Sequence, residues 1–199
     1  MAAAALTVAS VLAPVAHADP GAAAYPGMEI RQGTNLCTLG YVDVRTTRRI
    51  HTAGHCRAPS PVTDRAAGLI GVPISLQSTV IQGAVIATDQ VITDYQQIAL
   101  NPDVDVNDVP AGRPRAAVGA AGGLVAGAPI CHFRGRQRES CGTVERVNNR
   151  WFTMTNGVVS QKGDSGGPVY VVDGDRAVLV GLFNSTWGSF PAAVFWPTV

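Results

Sequence analysis

Along most of the chain, apolar and polar positions alternate with a period of two, the pattern of strands that bury one face. Such runs predict strands over 36–45, 48–53, 68–76, 80–88 and 95–100. A second set follows over 128–134, 141–147, 151–155, 168–173, 177–184 and 193–197. Turn formers such as Asn148-Asn149 and Asp173-Gly174-Asp175 separate them. No apolar repeat of helical spacing persists beyond a turn or two. Between the sets, residues 101–115 are rich in proline and aspartate, which suit neither helix nor strand interiors. The pattern predicts an all-β protein in two halves, 37–100 and 116–199, joined by a surface linker over 101–115.

Composition narrows the function classes. With 46% hydrophobic and only 15% charged residues, the chain has ample apolar surface for a packed core, which argues against disorder. A net charge of +1 supplies no field to steer nucleic acid or an anionic membrane. No phosphate-binding loop or dinucleotide fingerprint is present, and no cofactor is expected.

The apolar start is too short to span a bilayer comfortably and runs into Ala16-His17-Ala18, a small-x-small cleavage pattern, then polar Asp19. This reads as a signal peptide over 1–18, followed by a short N-terminal segment over 19–36, and places the protein outside the cell. No Lys or Arg precedes the apolar run. Four cysteines in an exported chain imply two disulfides. Three pairings are possible, of which Cys37–Cys56 with Cys131–Cys141 closes short local loops, each adding roughly 2–3 kcal/mol. No C-x-x-C spacing occurs, so no metal site is expected.

Two segments carry chemistry. Ser165 stands among Gly163, Gly166 and Gly167, in a loop that can turn sharply, expose the hydroxyl and aim its own N–H groups at a carbonyl. Thr52-Ala53-Gly54-His55-Cys56 supplies a base. His55 needs a carboxylate to hold its ring. Asp94, at the mouth of the apolar run Tyr95–Leu100, is the best placed, with Asp89 the alternative, whereas Asp103, Asp105 and Asp108 belong to the linker. His55 lies in the first half and Ser165 in the second, so a shared site would occupy the cleft between them.

These segments, with Gly163-Asp164-Ser165-Gly166-Gly167-Pro168 and the order His, Asp, Ser, resemble the chymotrypsin/trypsin family of serine endopeptidases in its short bacterial, streptogrisin-like branch. The resemblance runs from about Cys37 to the end. It implies two six-stranded antiparallel β-barrels with the site in the cleft, and a monomer that cuts polypeptides through an acyl-enzyme. Ser165 would be the nucleophile, His55 the base and Asp94 its orienter, with the N–H groups of Gly163 and Ser165 as the oxyanion hole. The same disulfide pairing is implied. Asp164 should meet a buried cation, for which His132 or Arg134, just after Cys131, is positioned. The primary pocket should have Val159 and Ser160 at its base and Asn184, Ser185 and Thr186 as its wall. None is acidic, and Thr186 narrows the slot, which implies cleavage after small or medium apolar residues, whereas a wall shifted to Trp187-Gly188-Ser189 would imply a wider pocket. A non-enzymatic binding or adhesion module on the same fold is the alternative function. An esterase is a third, disfavoured because no α/β alternation with a nucleophile elbow is present.

Overall fold

The computed structural model describes residues 23–44, 47–81, 83–108, 116–118, 123–134 and 138–196. The signal peptide expected over 1–18 and residues 109–115 of the linker lie outside the described residues. Among the described residues there are sixteen strands: β1 Ala23–Ala24, β2 Glu29–Gln32, β3 Asn35–Thr38, β4 Tyr41–Asp43, β5 Arg49–Thr52, β6 Val62–Thr63, β7 Leu69–Ser78 and β8 Asp94–Leu100 lead up to the crossing. They are followed by β9 Asp105–Val106, β10 Ala116–Val118, β11 Pro129–Arg134, β12 Arg138–Val147, β13 Trp151–Thr155, β14 Pro168–Asp173, β15 Arg176–Trp187 and β16 Phe190–Phe195. Among the described residues the only helical element is a 3-10 turn at Gly54–Cys56, and no helix is long and apolar enough to cross a membrane.

Each half curls on itself. In the second, the order β15-β14-β11-β12-β13-β16 returns to β15, closing six strands, with β10 added in parallel on β15. In the first, the order is β3-β2-β6-β7-β8-β5-β4, and its two ends are consecutive pieces of chain. At the bend between them the Leu39 N–H donates to Met28 O and the Gly40 N–H to His51 O, both at 2.8 Å, so one bent segment joins the two edges of the curled sheet. The alternation read from sequence is clearest in β8, where Asp94, Gln96, Ile98 and Leu100 are buried and the residues between them are not.

Three expectations need correction. The first half begins upstream of Cys37, not at it: β2 pairs β3 and β6, and Ala24, Met28 and Ile30 are buried in the first core. The linker is not wholly solvated, since Val104 is buried in that same core and β9 pairs β1. The strand expected over 80–88 is absent from the described residues, because no neighbouring strand pairs there. From that segment only Val80 and Ile86 pack, half-buried, beside Ile92 on Trp151, Leu182 and Trp196 in an apolar cluster between the barrels. Trp151 Nε1–H donates to Gln90 O at 2.9 Å and Asn149 Nδ2–H to Asp89 O at 2.8 Å, which hold the barrels in register.

His51 on β5 is 7% exposed, with its ring 4.9 Å from that of Trp196 and 6.0 Å from that of Tyr41. Burial pushes its pKa down from 6.5 to about 4, against a smaller upward pull from Asp43, with Arg49 pushing it further down. The unfolded chain therefore binds a proton below pH 6.5 that the folded chain refuses until about pH 4. The stability present above pH 6.5 is lost as the pH falls toward 4, by about 3 kcal/mol at 1.36 kcal/mol per unit. Urea unfolding of His51→Leu at pH 7.5 and pH 4.5 should show a smaller acid loss than the parent. Equal losses in both would refute the assignment.

Candidate active site

The candidate base, His55, is placed by the turn after β5. Ala53 is still extended, and Gly54–Cys56 then wind into the 3-10 turn that carries His55 at the rim of the cleft. Gly54 is required there because a Cβ would lie 2.9 Å from both Asp94 Oδ1 and Gln77 O. Cys56 is tied to Cys37 on β3, and Cys131 on β11 is tied to Cys141 on β12.

Asp94 opens β8 and is completely buried. A carboxylate there is tolerable only if its oxygens are satisfied, and four donors converge on it. His55 Nδ1 lies 2.6 Å from Oδ2, and Asn184 Nδ2–H donates to the same oxygen at 2.6 Å. The His55 backbone N–H donates to Oδ1 at 2.9 Å and the Ser78 hydroxyl to Oδ1 at 2.7 Å. Asp89, the alternative partner, is exposed at the foot of the interbarrel segment, its carbonyl bonded to Asn149.

The nucleophile candidate sits in a loop whose glycines take conformations closed to other residues. Gly163 has φ +97° and Gly166 φ +85°. A Cβ on Gly166 would lie 2.6 Å from both Ala53 N and Thr38 O, so the loop presses directly on the first barrel. Ser165 Oγ–H donates to Asn184 O at 3.0 Å rather than to His55. Asn184 therefore links both sides of the site, its carbonyl accepting from Ser165 and its amide donating to Asp94. Among the described residues, no internal hydrogen bond uses the N–H of Gly163 or of Ser165, which leaves both donors for a ligand oxygen.

Asp164 is 2% exposed; its Oδ2 accepts the Gln161 N–H at 2.8 Å and lies 3.7 Å from His132 Nε2. His132 is fully buried and stacks on Phe183 at 4.2 Å. The side chain of Arg134, the other expected partner, lies outside the described residues. In the expected pocket, Val159 is half exposed and its N–H donates to Ser140 Oγ, with Ser160 and Ser185 part-buried and Thr186 exposed. Asn184 departs from its expected place on the pocket wall: it is 1% exposed and its amide is committed to Asp94. The sequence reading missed Ser78 and Thr38, neither of which belongs to a motif. The signal of Ser78 is register alone, since it stands opposite Asp94 across β7 and β8, and Thr38 has none, its partners Gly163 and Ser165 lying in the other half.

Two β-barrels with such a cleft define the chymotrypsin-like serine protease fold. Protease A of Thermobifida fusca superposes with a TM-score of 0.58 at 20% identity, over 88% of this chain and 92% of that one. The inactivated scabies mite protease paralogue S-D1 superposes with a TM-score of 0.59 at 10% identity, over 84% of this chain and 85% of that one. No family model matches the chain. In sequence it is 47% identical over 196 residues to the uncharacterized protein Rv1815 of Mycobacterium tuberculosis, covering 96% of this chain and 86% of that protein. The chain belongs to the family of that mycobacterial protein.

Proposed function

We propose that the protein is a secreted serine endopeptidase that cuts after small or medium apolar residues. The observation that carries this reading is the fully buried Asp94 carboxylate, whose Oδ2 holds His55 Nδ1 at 2.6 Å. With Asp94 fixing Nδ1, His55 presents Nε2 as the base. As Ser165 Oγ attacks the scissile carbonyl carbon, its proton passes to Nε2 and the carbonyl oxygen becomes an oxyanion held by the N–H groups of Gly163 and Ser165. Nε2 then protonates the leaving amine as the C–N bond breaks. Water attacks the resulting ester, giving its proton to Nε2, which returns it to Ser165 Oγ as the acid product leaves. The substrate must first draw the Ser165 hydroxyl from Asn184 O. Export is supported by the apolar start, the Ala16-His17-Ala18 pattern and the two disulfides.

A second reading, a non-enzymatic binding module, is favoured by the same Ser165–Asn184 bond, which leaves the hydroxyl turned from its base. A fluorophosphonate probe separates the two. Stoichiometric labelling of the parent and none of Ser165→Ala supports the enzyme, whereas an inert parent supports the module.

A further inference from the structure

We propose that Thr38, on the first barrel, is the positioning residue that sets the oxyanion donors on the second. This rests on the serine-protease reading of the site and assigns a role to a residue outside the His-Asp-Ser constellation. Thr38 ends β3, directly after the disulfide-bonded Cys37, and is 1% exposed. All three of its polar groups are used. Its N–H donates to Ser165 O at 2.8 Å and its hydroxyl to Gly163 O at 2.7 Å, while its carbonyl accepts the Thr52 hydroxyl at 2.8 Å.

The hydroxyl bond is the informative one. Gly163 has φ +97°, a region that only glycine occupies without strain, and glycine resists rotation least of all residues. The direction of its N–H therefore depends on what holds the rest of the residue. A side chain there would strain the positive φ and press on Leu36, 3.2 Å from the Cβ position, so a bulkier residue is a poor way to stiffen the turn. The Thr38 hydroxyl supplies the restraint by fixing the Gly163 carbonyl, and the Thr38 N–H fixes the Ser165 carbonyl two residues on. The two residues that offer N–H groups to the oxyanion are thus both anchored through their carbonyls to one buried threonine across the barrel interface. A hydroxyl is needed at this position, since valine would fill the same space and keep the backbone bond but leave the Gly163 oxygen unpaired. A donor that drifts by a fraction of an ångström loses its bond to the transition state more than to the substrate.

Thr38→Val, Thr38→Ala and Thr38→Ser, each checked for a native circular dichroism spectrum, test the assignment. Peptide hydrolysis and inhibition by an N-acetyl-trialanine aldehyde, whose adduct oxygen enters the hole, are the readouts. Thr38→Val is expected to lower kcat about 10–100-fold with KM within about threefold, and to weaken the aldehyde by the same factor as kcat/KM. Thr38→Ala should behave alike and serves if the valine variant does not fold, while Thr38→Ser should stay within about threefold of the parent. A folded Thr38→Val with a lowered melting temperature but unchanged kcat and aldehyde affinity would make Thr38 a mere strut and overturn the proposal. If the parent itself ignores the fluorophosphonate, the protease reading fails first, and amide exchange at Gly163 and Ser165 still decides. Faster exchange in Thr38→Val upholds the anchor, and equal exchange rejects it.

Discussion

Asp94→Asn is expected to lower turnover about 10⁴-fold while the protein stays folded. Every group aimed at the Asp94 oxygens is a donor: the Asn184 amide, the Ser78 hydroxyl, the His55 backbone N–H and His55 Nδ1. A carboxylate accepts from all four, whereas a carboxamide must turn its NH₂ toward one of them. If the NH₂ faces Nδ1, His55 accepts there, Nε2 carries the proton and the ring cannot take one from Ser165. If it takes the place of Oδ1 instead, it confronts the His55 backbone N–H, and two donors face each other in a fully buried site. Ser165→Ala and His55→Ala should be as severe, because the three act as a unit and their losses do not add. The check is kcat on a peptide amide, with fluorophosphonate labelling in parallel. An Asp94→Asn variant within tenfold of the parent would remove Asp94 from the proposed mechanism.

The next largest effect concerns substrate choice. Val159 and Ser160 at the expected pocket base and Ser185 and Thr186 at its wall include no carboxylate. A guanidinium or ammonium drawn into that slot would be desolvated without a counter-charge, a cost of several kcal/mol. Peptides cut after Ala, Val or Leu should therefore exceed those cut after Arg or Lys by at least about 10²-fold in kcat/KM, each 1.36 kcal/mol being tenfold. Thr186→Gly should widen the slot and move preference toward Phe and Tyr. A positional-scanning peptide library measures both, and efficient cleavage after Arg would refute the pocket while leaving His55, Asp94 and Ser165 untouched.

Features set by local chemistry are legible along the chain. Strands 151–155 and 168–173 have the boundaries read from the sequence, because turn formers such as Asn148-Asn149 and Asp173-Gly174-Asp175 bound their apolar runs. The glycines around Ser165 announce a turn that only glycine can make, and Gly163 and Gly166 take positive φ there. Cysteines separated by 19 and by 10 residues find each other because the chain between them folds back locally. Tertiary structure decided the rest. Residues 80–88 alternate like a strand but find no pairing edge among the described residues, and only Val80 and Ile86 pack onto the apolar cluster between the barrels while Ile81 and Val85 stay exposed. Asn184 reads as a pocket residue from its place in sequence, yet its amide serves Asp94, 90 residues away. Ser78 meets Asp94 through the register of β7 on β8, and Thr38 reaches Gly163 across 125 residues. The Asn184 and Thr38 pairings depend on how two curled sheets abut, whereas that of Ser78 depends on strand register within one sheet. Motif residues were legible because their conformation is local, whereas the groups that hold them in place become visible only after the barrels close.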